Sequence, residues 1–265
     1  MAGPLPRRQL NAARVIDKTL GAVSADFPRL FLFTYVLSTV PLFLASWALN
    51  ALAAPLVVPI YRGSGAFPLQ VTLLTINAMA GLAGWAGSGA VTFAALSHFK
   101  GERAGFAQCM LAGARFYLPL LAFAAILHLV VLLGFALLIV PGAFAATVMV
   151  AAGPAIVAER ANLKNAFQRA AFLSRDNRWA ILAVIVAYML LNAAAGFASN
   201  SVSGAIVAGA GDDYSIGLII SVGVTVSVFS TIVQMFRTAG IAAVYHELRA
   251  IKDNPMEDEL GQVFD

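Results

Sequence analysis

The sequence predicts an all-α fold: a polytopic membrane helical bundle with six transmembrane helices and three amphipathic helices at the inner leaflet. Three observations predict it. Of the 265 residues, 60% are hydrophobic and only 11% are charged, with a mean hydropathy of +0.84, whereas soluble domains run about 25% charged. The charges are clustered, with long uncharged runs between clusters. All but one of the 17 Lys and Arg residues fall in alternate segments, as the positive-inside rule requires of an even number of spans.

The uncharged runs set the elements in order. No charge occurs between Arg29 and Arg62, between Arg62 and Lys100, between Arg178 and Asp212, or between Asp213 and Arg237. A spanning helix needs about 20 apolar residues, and a charge at bilayer depth costs about 2.5–3.5 kcal/mol on insertion scales, so each run holds one span. The run from Arg115 to Glu159 is long enough for two, and Pro141-Gly142 is the expected fold-back, because Pro and Gly punctuate helices most strongly. The spans read as 30–52, 70–98, 116–138, 142–158, 179–199 and 214–236. The fourth is the shortest and is free to begin before Pro141. Residues 1–29 form an N-terminal amphipathic segment, 30–236 the membrane domain, and 237–265 a tail.

Orientation follows from Arg7, Arg8, Arg14, Lys18 and Arg29 in the first segment, Lys100, Arg103 and Arg115 in the second, Arg160, Lys164, Arg169, Arg175 and Arg178 in the third, and Arg237, Arg249 and Lys252 in the tail. All are expected on the cytoplasmic side. Only Arg62, with the acidic pair Asp212 and Asp213, is left for the other side. The first apolar stretch exceeds the 7–15 residues of a secretory signal core and is expected to stay as span one.

Three basic segments read as amphipathic helices running into spans. Leu10, Ala13, Ile16 and Leu20 recur near helical spacing in the first, and Phe106, Met110 and Ala114 in the second. Leu163, Ala166, Phe167 and Ala170 make the third stripe, with Lys164, Gln168 and Arg175 opposite and Asn162 as N-cap. Each ends in a base-plus-aromatic junction of the kind that anchors helices at the water–lipid boundary: Phe27-Pro28-Arg29, Arg115-Phe116-Tyr117 and Arg178-Trp179. The residues expected at lipid headgroups are Arg29, Arg115, Tyr117, Lys164, Arg169, Arg175, Arg178 and Trp179.

Several stretches resemble the YciC-like bacterial inner-membrane proteins and the membrane domain fused to some glycerophosphodiester phosphodiesterases. They are Leu137-Leu138-Ile139-Val140-Pro141-Gly142, Gly153-Pro154-Ala155 with Glu159, Leu163 through Ala170, Leu173-Ser174-Arg175-Asp176-Asn177, and Ala242 through Arg249. The resemblance implies a multi-pass bundle of the bacterial inner membrane without a known reaction. No soluble phosphodiesterase domain accompanies it here, so that chemistry is not carried over.

Catalytic chemistry is not expected. No Gly-x-Ser-x-Gly, Walker or dinucleotide loop occurs, the one cysteine is Cys109, and His98, His128 and His246 lie on different segments without metal-ligand spacing. No metal and no cofactor are therefore expected. The spans as drawn hold no Asp, Glu, Lys or Arg, which argues against a carboxylate relay. Asn77, His128 and Asn192 are the polar residues that three hairpins around an axis would bring to a central cavity. Small residues stud span two (Gly81, Gly84, Gly87, Gly89), span five (Ala193–Gly196) and span six (Ser221, Gly223, Thr225, Ser227), where they let helix backbones approach. Gln234 is a candidate interhelical donor. The net charge of +4 belongs to segments beside the bilayer, so anionic lipid is the expected partner and nucleic acid is not. The leading expectation is a non-enzymatic membrane protein organising lipid or partner proteins at the cytoplasmic leaflet. The rivals are a permease or lipid-translocating protein with a central cavity, and a membrane-anchoring subunit of a larger complex with Met256–Asp265 as an acidic docking tail; besides lipid, the partners left open are a second copy of the chain and another membrane protein.

Overall fold

The computed structural model describes residues 10–46, 48–49, 52, 84, 88–137, 139–210 and 216–253. Of the described residues 91% are helical and none is in a strand. Among the described residues five helices are long and apolar enough to cross a membrane, as a multi-pass membrane protein requires: Phe27–Ser46, Phe106–Val131, Gly142–Glu159, Arg178–Ala210 and Ile220–Asp253. Most of the expected second span lies outside the described residues; its end is the short apolar helix Gly89–Phe99.

Helix α1 (Ala12–Ala25) is capped by Asn11, whose side chain accepts from the Ala13 amide at 2.9 Å. Of the stripe that the spacing suggests, Leu10 just before the helix is buried, but Ala13, Ile16 and Leu20 are not. Val15, Thr19, Ala22 and Val23 pack against the bundle, while Ile16 and Leu20 stay exposed on the outer side. Both faces are apolar enough to be an inward face, and contacts with the last helix decide between them. Asp26 and Pro28 turn the chain into α2 (Phe27–Ser46), which contains a π-helical turn at Tyr35–Thr39. One extra residue per turn there rotates the rest of α2 relative to its first half.

Helix α3 (Gly89–Phe99) leads through Gly101, at φ 75°, to α4 (Phe106–Leu137). The expected second surface helix is thus the beginning of one 32-residue helix that passes through Pro119 unbroken. Its inward face is Cys109, Ala112, Phe116, Leu120 and Phe123; the expected stripe residues Phe106 and Ala114 are exposed. Gly89 and Gly113 mark the crossing of α3 and α4: a Cβ at Gly113 would meet Ala90 and Leu37 at 3.0 Å, and one at Gly89 would meet Leu120 at 3.0 Å.

The fold-back comes slightly earlier than the Pro-Gly pair. Helix α4 ends at Leu137, α5 (Ile139–Met149) begins two residues later, and the two pack together as a hairpin. Pro141 therefore falls in the first turn of α5, where its missing N–H breaks no helical bond. A second break separates α5 from α6 (Ala152–Glu159). Pro154 accounts for it, because it cannot donate to Val150 and its ring crowds that carbonyl.

Arg160, at φ 51°, ends α6. Helix α7 (Leu163–Ser174) begins with Asn162 accepting from the Asn165 amide at 2.9 Å. Ala166, Ala170 and Leu173 are buried, and Lys164, Gln168 and Arg175 face outward. Two long helices complete the bundle: α8 (Arg178–Ala210, 33 residues) and α9 (Ile216–Asp253, 38 residues). At 1.5 Å per residue α9 is about 57 Å long, against about 30 Å of bilayer hydrocarbon. Met189, Leu190, Phe197, Ile220 and Val224 stand exposed on the hairpin these two make, which suits a lipid surround.

The main core gathers around the second half of α9. Ala239, Ala242, Ala243, Val244, Tyr245 and Leu248 are buried there among Val15, Phe123, Ile156, Leu173 and Ile181. The helix continues through Arg237 without interruption, so residues 237–253 are structural rather than a free tail.

Candidate functional site

One end of the molecule carries a lattice of ion pairs that ties four helices together. Lys18 of α1 reaches Glu247 of α9 at 2.5 Å, and Arg14 approaches the same carboxylate at 4.0 Å. Glu159, closing α6, accepts from Tyr245 of α9 at 2.6 Å and from Arg169 of α7 at 3.0 Å. Arg169 also donates to Asp253, which accepts from Arg249 at 3.3 Å. Lys252 reaches Asp176 at 3.0 Å, and the Leu10 amide donates to Asn177 at 2.8 Å. The hydrogen bond to Asp253, helped by Glu159, raises the pKa of Arg169, so its guanidinium stays charged.

The expected headgroup residues divide on this lattice. Arg169 is committed to Glu159 and Asp253 inside the molecule. Arg29 lies 3.9 Å from Asp26 on its own helix, and Arg115 lies over the neighbouring Phe116 ring at 5.9 Å, both exposed. Tyr117 is half-buried and Lys164 exposed. Arg175, Arg178 and Trp179 come together with Asp176 around a surface pocket of about 470 Å3. Arg178 stacks over Phe144 at 4.4 Å, and Trp179 is 85% exposed, an unusual state for an indole unless an apolar surround covers it.

A second feature lies between α4, α5, α8 and α9: a cavity of about 740 Å3 with a mostly aliphatic wall. His128 and Asn192, two of the three expected cavity residues, line it; Asn77 lies outside the described residues. The His128 Nδ1 lies 2.8 Å from the Ala124 carbonyl and so carries the hydrogen of that contact.

Two lining residues were not singled out from the sequence. Tyr188 of α8 packs over Gly240 of α9 and meets Thr19 of α1 at 3.1 Å between hydroxyl oxygens. Arg237, taken from the charge pattern as the first residue of the tail, lies within a candidate span and on the cavity wall. One of its NH2 groups donates to Gln234, which in turn donates to the Gly84 carbonyl at 3.1 Å. The clue available in the sequence was the apolar helical pattern that resumes beyond it at Ala239, Ala242 and Ala243.

The small residues also divide. Gly84 and Gly89 meet other helices, whereas a Cβ at Gly196 or Gly223 would meet nothing. Ser221 and Thr225 return their hydroxyls to carbonyls of their own helix, while Thr231 meets Thr39 of α2 at 2.8 Å.

Comparisons with protein-family models, with curated proteins and with solved structures give no match to this chain.

Proposed function

We propose that the protein is a non-enzymatic, multi-pass protein of the bacterial inner membrane, with six spans and both termini cytoplasmic, that organises anionic lipid at the cytoplasmic leaflet. The observation that carries this reading is the grouping of Arg175, Arg178 and the exposed Trp179 around one surface pocket. An indole prefers the headgroup level, and two guanidinium groups beside it suit a phosphate. Lys164 adds charge on the exposed side of α7. The ion-pair lattice supports the reading by fixing α7 to α6 and α9. The resemblance to YciC-like proteins agrees with a role in the membrane without a reaction.

The mostly aliphatic cavity wall suits hydrocarbon better than a hydrated solute. That favours a protein that handles lipid over a permease for water-soluble substrates.

Fluorescence of Trp179 tests the proposal. Trp47 and Trp85 are replaced by Phe, and the protein is reconstituted in vesicles holding brominated phosphatidylglycerol or brominated phosphatidylcholine at equal mole fraction. Stronger quenching by the anionic lipid, lost in Arg175→Gln/Arg178→Gln, is expected. Equal quenching by the two lipids removes the proposal.

A further inference from the structure

We propose that His246 and Lys18 form a pH-sensitive clasp that holds α1 on α9 at neutral pH and loosens it on acidification. The two residues meet across the helices, with Lys18 Nζ 3.3 Å from His246 Nδ1. The same ammonium reaches Glu247, the next residue of α9, at 2.5 Å. An ammonium has donors and no acceptor, so Nδ1 accepts here, and the imidazole is neutral with its hydrogen on Nε2. The ring is half-buried, so a proton can still reach it. It lies beyond the span 214–236, on the end of α9 that carries the ion-pair lattice.

A proton on Nδ1 reverses this contact. It removes the acceptor and sets two cations against each other at a separation where like charges repel strongly. The surroundings give little relief. From α1, Arg14 approaches Glu247 at 4.0 Å. From α3, the Phe99 ring lies 5.3 Å from the imidazole, with His98 beside it. Lys18, Lys100, Arg249 and Glu247 are the charges that act on the ring among the described residues. Glu247 alone is negative, and Lys18 already occupies it. The neutral ring is therefore the form that fits the docked helix. Docking is favoured above the titration of the imidazole and is lost as pH falls through it. Loosening would uncover Val15, Thr19, Ala22 and Val23, the side chains that α1 buries.

Hydrogen exchange of the full-length protein in nanodiscs of neutral lipid tests the clasp. It is measured at about pH 7.5 and about pH 5.5, on either side of the ordinary imidazole value near 6.5. After correction for the intrinsic exchange rate, protection of residues 15–23 is expected to fall about tenfold or more on acidification, the effect of one unit of differential titration. His246→Gln keeps an acceptor for Lys18 and cannot titrate, so it is expected to hold α1 equally at both pH values. His98→Gln is expected to keep the native response. In the native protein, one of the three histidine ring signals is expected to titrate with the same midpoint as the loss of protection, a readout that needs no variant. Protection that does not change with pH overturns the proposal. So does a fall that survives in His246→Gln, which would belong to a carboxylate such as Glu247, or one that His98→Gln abolishes. The absence of any histidine signal with that midpoint overturns it as well.

Discussion

Lys18 of the first helix holds Glu247 of the last at 2.5 Å, and the carboxylate it holds is only 4% exposed. A buried acid left without its cation costs far more than the pair contributes, because desolvation is then uncompensated. Lys18→Met is therefore expected to destabilise the protein by about 1–3 kcal/mol, with Arg14 at 4.0 Å limiting the loss. Lys18→Met/Glu247→Gln is expected to lose less than the sum of the two single variants. Thermal unfolding in detergent of the four proteins of that cycle checks it; strict additivity would mean that the two side chains do not couple.

Tyr188 and Gly240 make the second prediction. Any Cβ at position 240 would collide with the Tyr188 side chain, and the hydroxyl contact with Thr19 keeps that ring from stepping aside. Gly240→Ala is expected to cost about 1–3 kcal/mol by overpacking. Gly196→Ala, where a Cβ meets nothing, is expected to be neutral or slightly stabilising, since alanine favours helix by about 1 kcal/mol over glycine. Melting temperatures of the two variants should separate clearly.

Arg169 and Lys164 belong to the same helix and differ in role. Arg169→Gln removes donors from Glu159 and Asp253 together and is expected to lower stability by about 1–3 kcal/mol. Tyr245→Phe removes one bond to Glu159 and should cost about 0.5–1.5 kcal/mol. Lys164→Gln faces outward and should stay within about 0.5 kcal/mol of the native protein. Were Lys164→Gln the most damaging of the three, the distinction between lattice and outward-facing basic residues would be lost.

Topology supplies the fourth prediction. In a Cys109→Ala background, Lys164→Cys is expected to resist a membrane-impermeant maleimide applied to intact cells and to react after lysis. Asp212→Cys should react in intact cells. The opposite pattern would reverse the orientation, because the basic segments would then face outward.

The helices were legible where chemistry is local. Asn162 caps α7 as its position before Leu163 suggests, and the Leu163, Ala166 and Ala170 face of that helix packs inward. The fold-back within the long apolar run was legible too, although a helix accommodates Pro141 in its first turn and the chain reverses just before it. The face of α1 was not, because lipid is as apolar as a protein core. Periodicity thus finds Ile16 and Leu20 as readily as Val15 and Ala22 and cannot tell which meets protein. Arg237 escaped for a related reason: when every charge is read as the end of a span, a charge held on a cavity wall becomes a boundary. Partners far apart in sequence, such as Lys18 and Glu247 or Glu159 and Tyr245, carry no local signal at all.

The length of α9 has a mechanical corollary. A rod nearly twice as long as the oil layer is thick must protrude, and here its C-terminal end is bolted by Lys18, Arg169 and Asp176 to three other parts of the chain. When the bilayer thins or thickens, long helices respond by tilting. Because α9 is unbroken from Ile216 to Asp253, leaning its N-terminal half must swing its C-terminal end, and the bolts with it, like the short arm of a lever.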